Sequence, residues 1–191
     1  MNKKRVLPAI ILLVGALMIA AAVTYFAIDA ARANKTKKNN EILLDRLNTL
    51  IPEPHPGFVE EGRDTIMPVL NVDGVDYIGI LTVPAYKAEI PVASVWDDER
   101  NKGVFTRYFG TLPAHNLILG ADNALGLFGF SGEITKDDSV FFTDTEGIVY
   151  SYKVEDVVHV NRISKEEMTY TGLTIFIRSR TSSDYVIVYC K

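Results

Sequence analysis

The sequence predicts a mainly β domain, closed or sandwich-like and antiparallel, preceded by an N-terminal transmembrane helix. Three observations carry this. The first is an uncharged apolar run near the N-terminus. The second is a switch, from about Asp76, to short segments rich in β-branched and aromatic residues. The third is turn chemistry between those segments, with no long βαβ period.

Composition sets the outer limits. The chain has 191 residues, 48% of them apolar, enough for one domain with its own core and an appendage. The formal charge of −4 is unevenly distributed. Lys3, Lys4, Arg5, Arg32, Lys35, Lys37 and Lys38 all precede residue 40, against Asp29 as the one acid there. The remainder holds 13 bases and 23 acids, and such an acidic domain argues against a nucleic-acid partner. The single cysteine excludes an internal disulfide framework. Without a CxxC or a His/Cys cluster, no zinc site is expected, and no other metal or cofactor is assigned.

The first element is Val6–Ile28, 23 residues without a charge. As a helix it spans roughly 35 Å at about 1.5 Å per residue, enough for a hydrocarbon core of about 30 Å. Lys3, Lys4 and Arg5 before it favour a cytoplasmic N-terminus and an extracellular domain, although the basic cluster after it pulls the other way. Residues 1–5 are then a cytoplasmic tail and 6–28 the membrane anchor. Ala31-Arg32-Ala33 has the small-x-small form of a signal-peptidase site, but the apolar run is longer than a signal core, so a retained anchor is expected.

Residues 29–69 are predicted as an extracellular tether, with polar "KTKKNN" mobile and a short helix over 40–51. In that helix Leu43, Leu44, Leu47, Leu50 and Ile51 share one face, expected to pack on the domain. "PEPHP" stops it, because proline removes donors and holds its neighbours extended.

Residues 70–191 form the β domain. Its strands are "YIGILTV", "AEIPVAS", "NLILGA", "SVFFTD", "IVYSYKV", "LTIFI" and "YVIVYC", with "TDTEG" as a hairpin turn and "ISKEEMTY" as one helical turn. "DDER" at Asp97–Arg100 and "TKDD" at Thr135–Asp138 read as solvated turns without EF-hand spacing.

In their order and spacing, "DYIGILTVPAYKAEIPVAS", "TRYFGTLPAHNLILGADN", "LFGFSGEITKDDSVFFTDTEGIVYSYKVEDV" and "LTIFIRSRTSSDYVIVYC" resemble a sortase domain, closest to the class B-like forms of Gram-positive bacteria. The resemblance covers about residues 70–191 and implies a sortase-like closed antiparallel/mixed β-barrel with short helices, on a membrane tether at the cell surface. Active members cleave a sorting signal on a secreted protein and join it to cell-wall or pilus acceptors through a cysteine thioester.

The resemblance also implies three catalytic positions. The family's His follows a small pair at the end of a strand beginning Asn-aliphatic; in "NLILGADN" that position is Asp122. The family's Cys ends a Leu-Thr-aliphatic-x-Thr-Cys strand; in "LTIFIR" Ile177 and Arg178 stand where Thr and Cys would be. The family's Arg opens the next strand about seven residues on, where this chain has Tyr185 beside Asp184. A guanidinium cannot be a nucleophile, a carboxylate is a poor proton shuttle for a leaving amine at neutral pH, and a phenol is no fixed cationic fork. The resemblance therefore implies a degenerate site with no catalytic residue, in a chain that binds an extended peptide, a sorting-signal-like segment or a cell-envelope partner.

Cys190 and His115 are the fallback candidates for an active transpeptidase. Cys190 shares a strand face with Val186 and Val188, so a core position is expected. His115 lies seven residues before Asp122, about 23 Å away along an extended chain. His55 and His159 read as structural, and "TLPAH" lacks the rest of a sorting signal. Asp122 and Arg178 are expected to face each other, partly buried and bidentate, as a charge-reversed pair where the reactive pair would be, with Tyr185 as a cation–π partner. A third reading, a structural surface module, needs no groove ligand at all.

Overall fold

The computed structural model describes residues 3–56, 66–95, 97, 103–123, 125–164, 170–179 and 184–191, with side chains from Ile10 onward. It divides into two compact units, residues 1–35 and 36–191. The first is helical throughout its described part, and its side chains from Ile10 to Ile28 are mostly exposed and apolar. The helix α1 is assigned over Lys3–Leu50 and is long and apolar enough to cross a membrane.

The polar "KTKKNN" stretch is thus helical, and the short helix expected at 40–51 is the end of α1. The reason is tertiary. In the second unit the Asn40 amide donates to the Gly103 carbonyl at 2.5 Å, and a Cβ on Gly103 would lie 2.7 Å from the Thr36 methyl. Leu47 and Ile51 are buried against Val72, Tyr77, Ile80, Ala93 and Val104, with Leu43 and Leu44 partly buried beside them. Leu50, placed on this face by the sequence pattern, is exposed instead. Pro52 and Pro54 follow the end of the helix.

Among the described residues ten strands follow: β1 His55–Pro56, β2 Leu70–Val72, β3 Val75–Val83, β4 Ala88–Ala93, β5 Phe105–Phe109, β6 Asn116–Asp122, β7 Ser139–Asp144, β8 Ile148–Val160, β9 Gly172–Arg178 and β10 Tyr185–Cys190. Eight of them close a barrel in the order β3-β4-β5-β6-β9-β10-β8-β7, since β7 pairs with both β8 and β3. β2 is added to β3, and β1 runs parallel to the start of β8. The pairs β4–β5 and β6–β9 are parallel, so the barrel is mixed. β5 was not among the expected strands, because Thr106 and Arg107 interrupt its apolar run. Most of "ISKEEMTY" lies outside the described residues.

Strand alternation sorts two cores. Leu117, Leu119 and Ala121 of β6, Leu173, Ile175 and Ile177 of β9, and Val186, Val188 and Cys190 of β10 point inward, packed with Phe105, Phe128 and Phe142. The intervening residues point outward, yet Ile118, Phe176 and Ile187 are buried there as a second cluster, beside Val158, Val160, Ile163, Tyr185 and Tyr189. Burial on both faces explains why "LTIFI" and "YVIVYC" are continuous apolar runs. At the bulge in β3, Gly79 has φ +150°, and a Cβ there would come 2.1 Å from the Thr143 carbonyl, so the β3–β7 closure needs glycine. In the β7–β8 hairpin, buried Asp144 accepts from the backbone of Glu146 and Ile148 at 2.9 Å each, which holds the turn.

Candidate functional site

Pairing register brings Asp122, Arg178 and Tyr185 together. Asp122 is the Cα partner of Arg178 across the parallel β6–β9 pair, and Arg178 is the partner of Tyr185 across the antiparallel β9–β10 pair. Directly opposed residues share a face, so the three form one row on the outside of the barrel. The strand ends are held by backbone bonds. The Asn123 amide donates to the Arg178 carbonyl at 3.3 Å, and Ser179 donates to Asp184 at 2.8 Å. The Asn123 side chain accepts from Phe128 at 2.9 Å, which fastens the loop after β6.

Arg178 Nη1 lies 3.7 Å from Asp122 Oδ2, and the two side chains are 53% and 46% exposed. The pair therefore meets, but with one long contact rather than a bidentate fork, and half in solvent rather than partly buried. A strained fork is not required because the parallel register already holds the two Cα atoms abreast. Tyr185 does not stack on the guanidinium among the described residues. Its ring contacts Phe176 edge-on at 6.4 Å, drawn there by the buried outer cluster.

One row down on the same face, Gly120, Phe176 and Ile187 are in register. The Phe176 ring sits over Gly120, and Tyr108 of β5 meets it edge-on at 5.2 Å. Tyr108 and its neighbour Phe109 are 58% and 61% exposed. Sequence reading missed this aromatic layer. The one signal for it, a glycine in β6 beside a phenylalanine in β9, has meaning only once the strands are paired.

The fallback residues lie elsewhere. Cys190 is fully buried in the barrel interior, on the opposite face from Arg178, and burial pushes its thiol up to about 12. His115 is exposed in the turn before β6, at φ 50°, and its carbonyl accepts from Gly172 at 2.5 Å. It adjoins the Asn116 end of the strand, about 23 Å of extended chain from Asp122. His55 Nδ1 is 3.0 Å from the Gly147 carbonyl, and His159 pairs with Val186 within the sheet.

Among the described residues no group of three His, Cys, Asp or Glu side chains could hold a metal ion. The "TKDD" turn uses Asp138 for itself. Its carboxylate accepts from the Thr135 backbone at 2.8 Å and from the Tyr86 hydroxyl at 3.0 Å, and the backbone bond foremost holds it below the usual carboxylate range. Of "DDER" only Asp97 lies within the described residues. A cleft of about 820 Å³ runs between the Lys37–Leu44 face of α1, the turn at Pro84–Tyr86 and the Gly126–Phe130 loop, and none of the Asp122, Arg178, Tyr185 row lines it.

No protein-family model matches the sequence, and no curated protein matches it. Solved structures do match in fold. The lid mutant of sortase A from Corynebacterium diphtheriae gives a TM-score of 0.55 at 15% identity, over 61% of this chain and 69% of that one. Sortase C1 from Streptococcus agalactiae gives 0.54 at 16% identity, over 62% and 68%. Sortase C from Clostridium perfringens, in a structure with the C-terminal cell wall sorting motif, gives 0.51 at 18% identity, over 65% and 75%. At these identities the likeness is one of fold.

Proposed function

The chain has a sortase-like fold, and from that premise we propose that it is a membrane-anchored surface protein which binds an extended peptide segment without cutting it. The single observation that supports this most is the in-register row of Asp122, Arg178 and Tyr185, with acid and guanidinium 3.7 Å apart. By resemblance this row occupies the positions of the family's His, Cys and Arg. It offers no thiolate, no imidazole and no proton acceptor matched to a leaving amine. The one cysteine is buried on the other face with its thiol pushed up to about 12, which leaves almost no thiolate at neutral pH.

Val6–Ile28 anchors the chain, with Lys3, Lys4 and Arg5 on the cytoplasmic side and the barrel outside the cell. The Clostridium perfringens sortase C structure carries a sorting motif, and by analogy the ligand here is an extended segment of a secreted or cell-envelope protein laid on the outer face of β6, β9 and β10. The test uses the full chain in detergent micelles with fluorescent sorting-signal peptides. Saturable binding with no cleavage or transfer, unchanged by a thiol-blocking reagent, is expected. Turnover that the reagent abolishes, or no binding across the peptide set, overturns the proposal.

A further inference from the structure

The outer face carries two recognition groups of different chemistry at a defined spacing. The first is the aromatic pair on β5. The register of β5 against β6 shifts between Arg107 and Phe109, so that Phe109 comes opposite Ile118 and Tyr108 leans on Phe176 at 5.2 Å. Both rings are more than half exposed, whereas Ile118, Phe176 and Ile187 beneath them are buried. Tyr108 thus rests on a buried apolar layer, with exposed Phe109 beside it in the strand.

The second is Arg178, two residues beyond Phe176 on the same face. Among the described residues its guanidinium makes no hydrogen bond. Its one contact, with Asp122 at 3.7 Å, is too long to be one. The five donors of the fork remain available to an acceptor, and half of the side chain already faces water. The carboxylate of Asp122 holds the fork at the strand end and competes with any incoming anion.

Two strand residues cover about 7 Å, and the Tyr108 ring is displaced a further 5.2 Å sideways from Phe176. The Tyr108 ring and the fork are thus on the order of 7–10 Å apart, the reach of two to three residues of an extended ligand, whereas Phe109, opposite Ile118 and so two outward rows from Arg178, lies farther along the face.

We infer that the bound segment carries an acidic side chain for Arg178, and a bulky apolar side chain two to three residues away for Tyr108. This rests on the peptide-binding reading above and names the ligand class for the same face.

Eight-residue peptides, acetylated and amidated, carry one Phe or Leu and, two or three residues from it, Asp, Asn or Lys. Their binding to the full chain in micelles is followed by fluorescence anisotropy. The Asp peptides bind best, about 10-fold or more above their Lys counterparts, as suits a charge-assisted contact. Arg178→Ala reduces the Asp-peptide affinity about 10- to 100-fold and leaves the Asn peptide little changed. Asp122→Asn raises Asp-peptide affinity, since it removes the competing carboxylate; a purely structural role for Asp122 predicts a loss. Tyr108→Ala weakens the Asp, Asn and Lys peptides alike, since all of them carry the apolar side chain. Thermal unfolding of each variant checks its fold. If peptides bind with equal affinity whatever the charge, and Arg178→Ala changes nothing, the inference falls while the peptide-binding reading stands. If no peptide binds, both fall.

Discussion

Phe176 covers Gly120. The two are direct neighbours across the parallel β6–β9 pair, and a Cβ built on Gly120 would lie 2.2 Å from the ring. The row below the Asp122–Arg178 pair is therefore filled by the chain's own aromatic side chain. The peptide proposed for this face would rest on rings, not on strand backbone.

Gly120→Ala is expected to destabilise the barrel by about 1–3 kcal/mol, the usual cost of forcing volume into a packed site. The ring has a flexible side chain's freedom to move, so Phe176→Leu in the same chain should recover most of the loss. Urea unfolding of the two single variants and the double variant measures the coupling. Additive losses would mean that the ring and the glycine do not share this space.

The docking of α1 on the barrel separates a large effect from a small one. Leu47 is fully buried against β2, β3 and β4 residues, and Leu47→Ala should cost about 2–5 kcal/mol. Arg46, next to it, pairs with Asp73 at 2.6 Å, but the side chains are 51% and 80% exposed. Arg46→Ala should cost at most about 1 kcal/mol, and less in high salt. Denaturant midpoints of the two variants decide the matter. A larger effect for Arg46 would mean that charge rather than burial holds the helix.

Alkaline pH should destabilise the barrel through Cys190. Burial raises its thiol from 9.0 to about 12, so between these values the unfolded chain ionises and the folded one does not. The unfolded state then holds fewer protons, and stability is present in full below about pH 9 and falls as pH rises toward 12. Tyr170, raised to about 12 by burial and its bond to Glu155, and Tyr152, raised by burial, act in the same direction. Cys190→Ala should flatten part of this slope. A disulfide reagent at pH 8 should leave native Cys190 unmodified and label it after denaturation. Rapid native labelling would place the thiol at the surface.

Much of this protein is determined by its sequence alone, because the signals are local. An uncharged run of 23 residues is a helix able to cross a membrane whatever packs beside it. The β-branched segments are strands, and "TDTEG" is the turn between β7 and β8, because Asp144 and Gly147 satisfy that turn within a few residues.

Features that depend on pairing belong to the tertiary structure. α1 stays helical through "KTKKNN" because Thr36 and Asn40 pack on Gly103, more than sixty residues away in the chain. β5 becomes a strand despite Thr106 and Arg107 because β4 and β6 supply its hydrogen bonds from both sides. The meeting of Asp122 with Arg178 was legible through resemblance, but its single half-solvated contact was not, since a rotamer and its exposure depend on every neighbour. Tyr185 turned to Phe176 for the same reason: the apolar cluster that attracts its ring exists only once β6, β9 and β10 lie side by side.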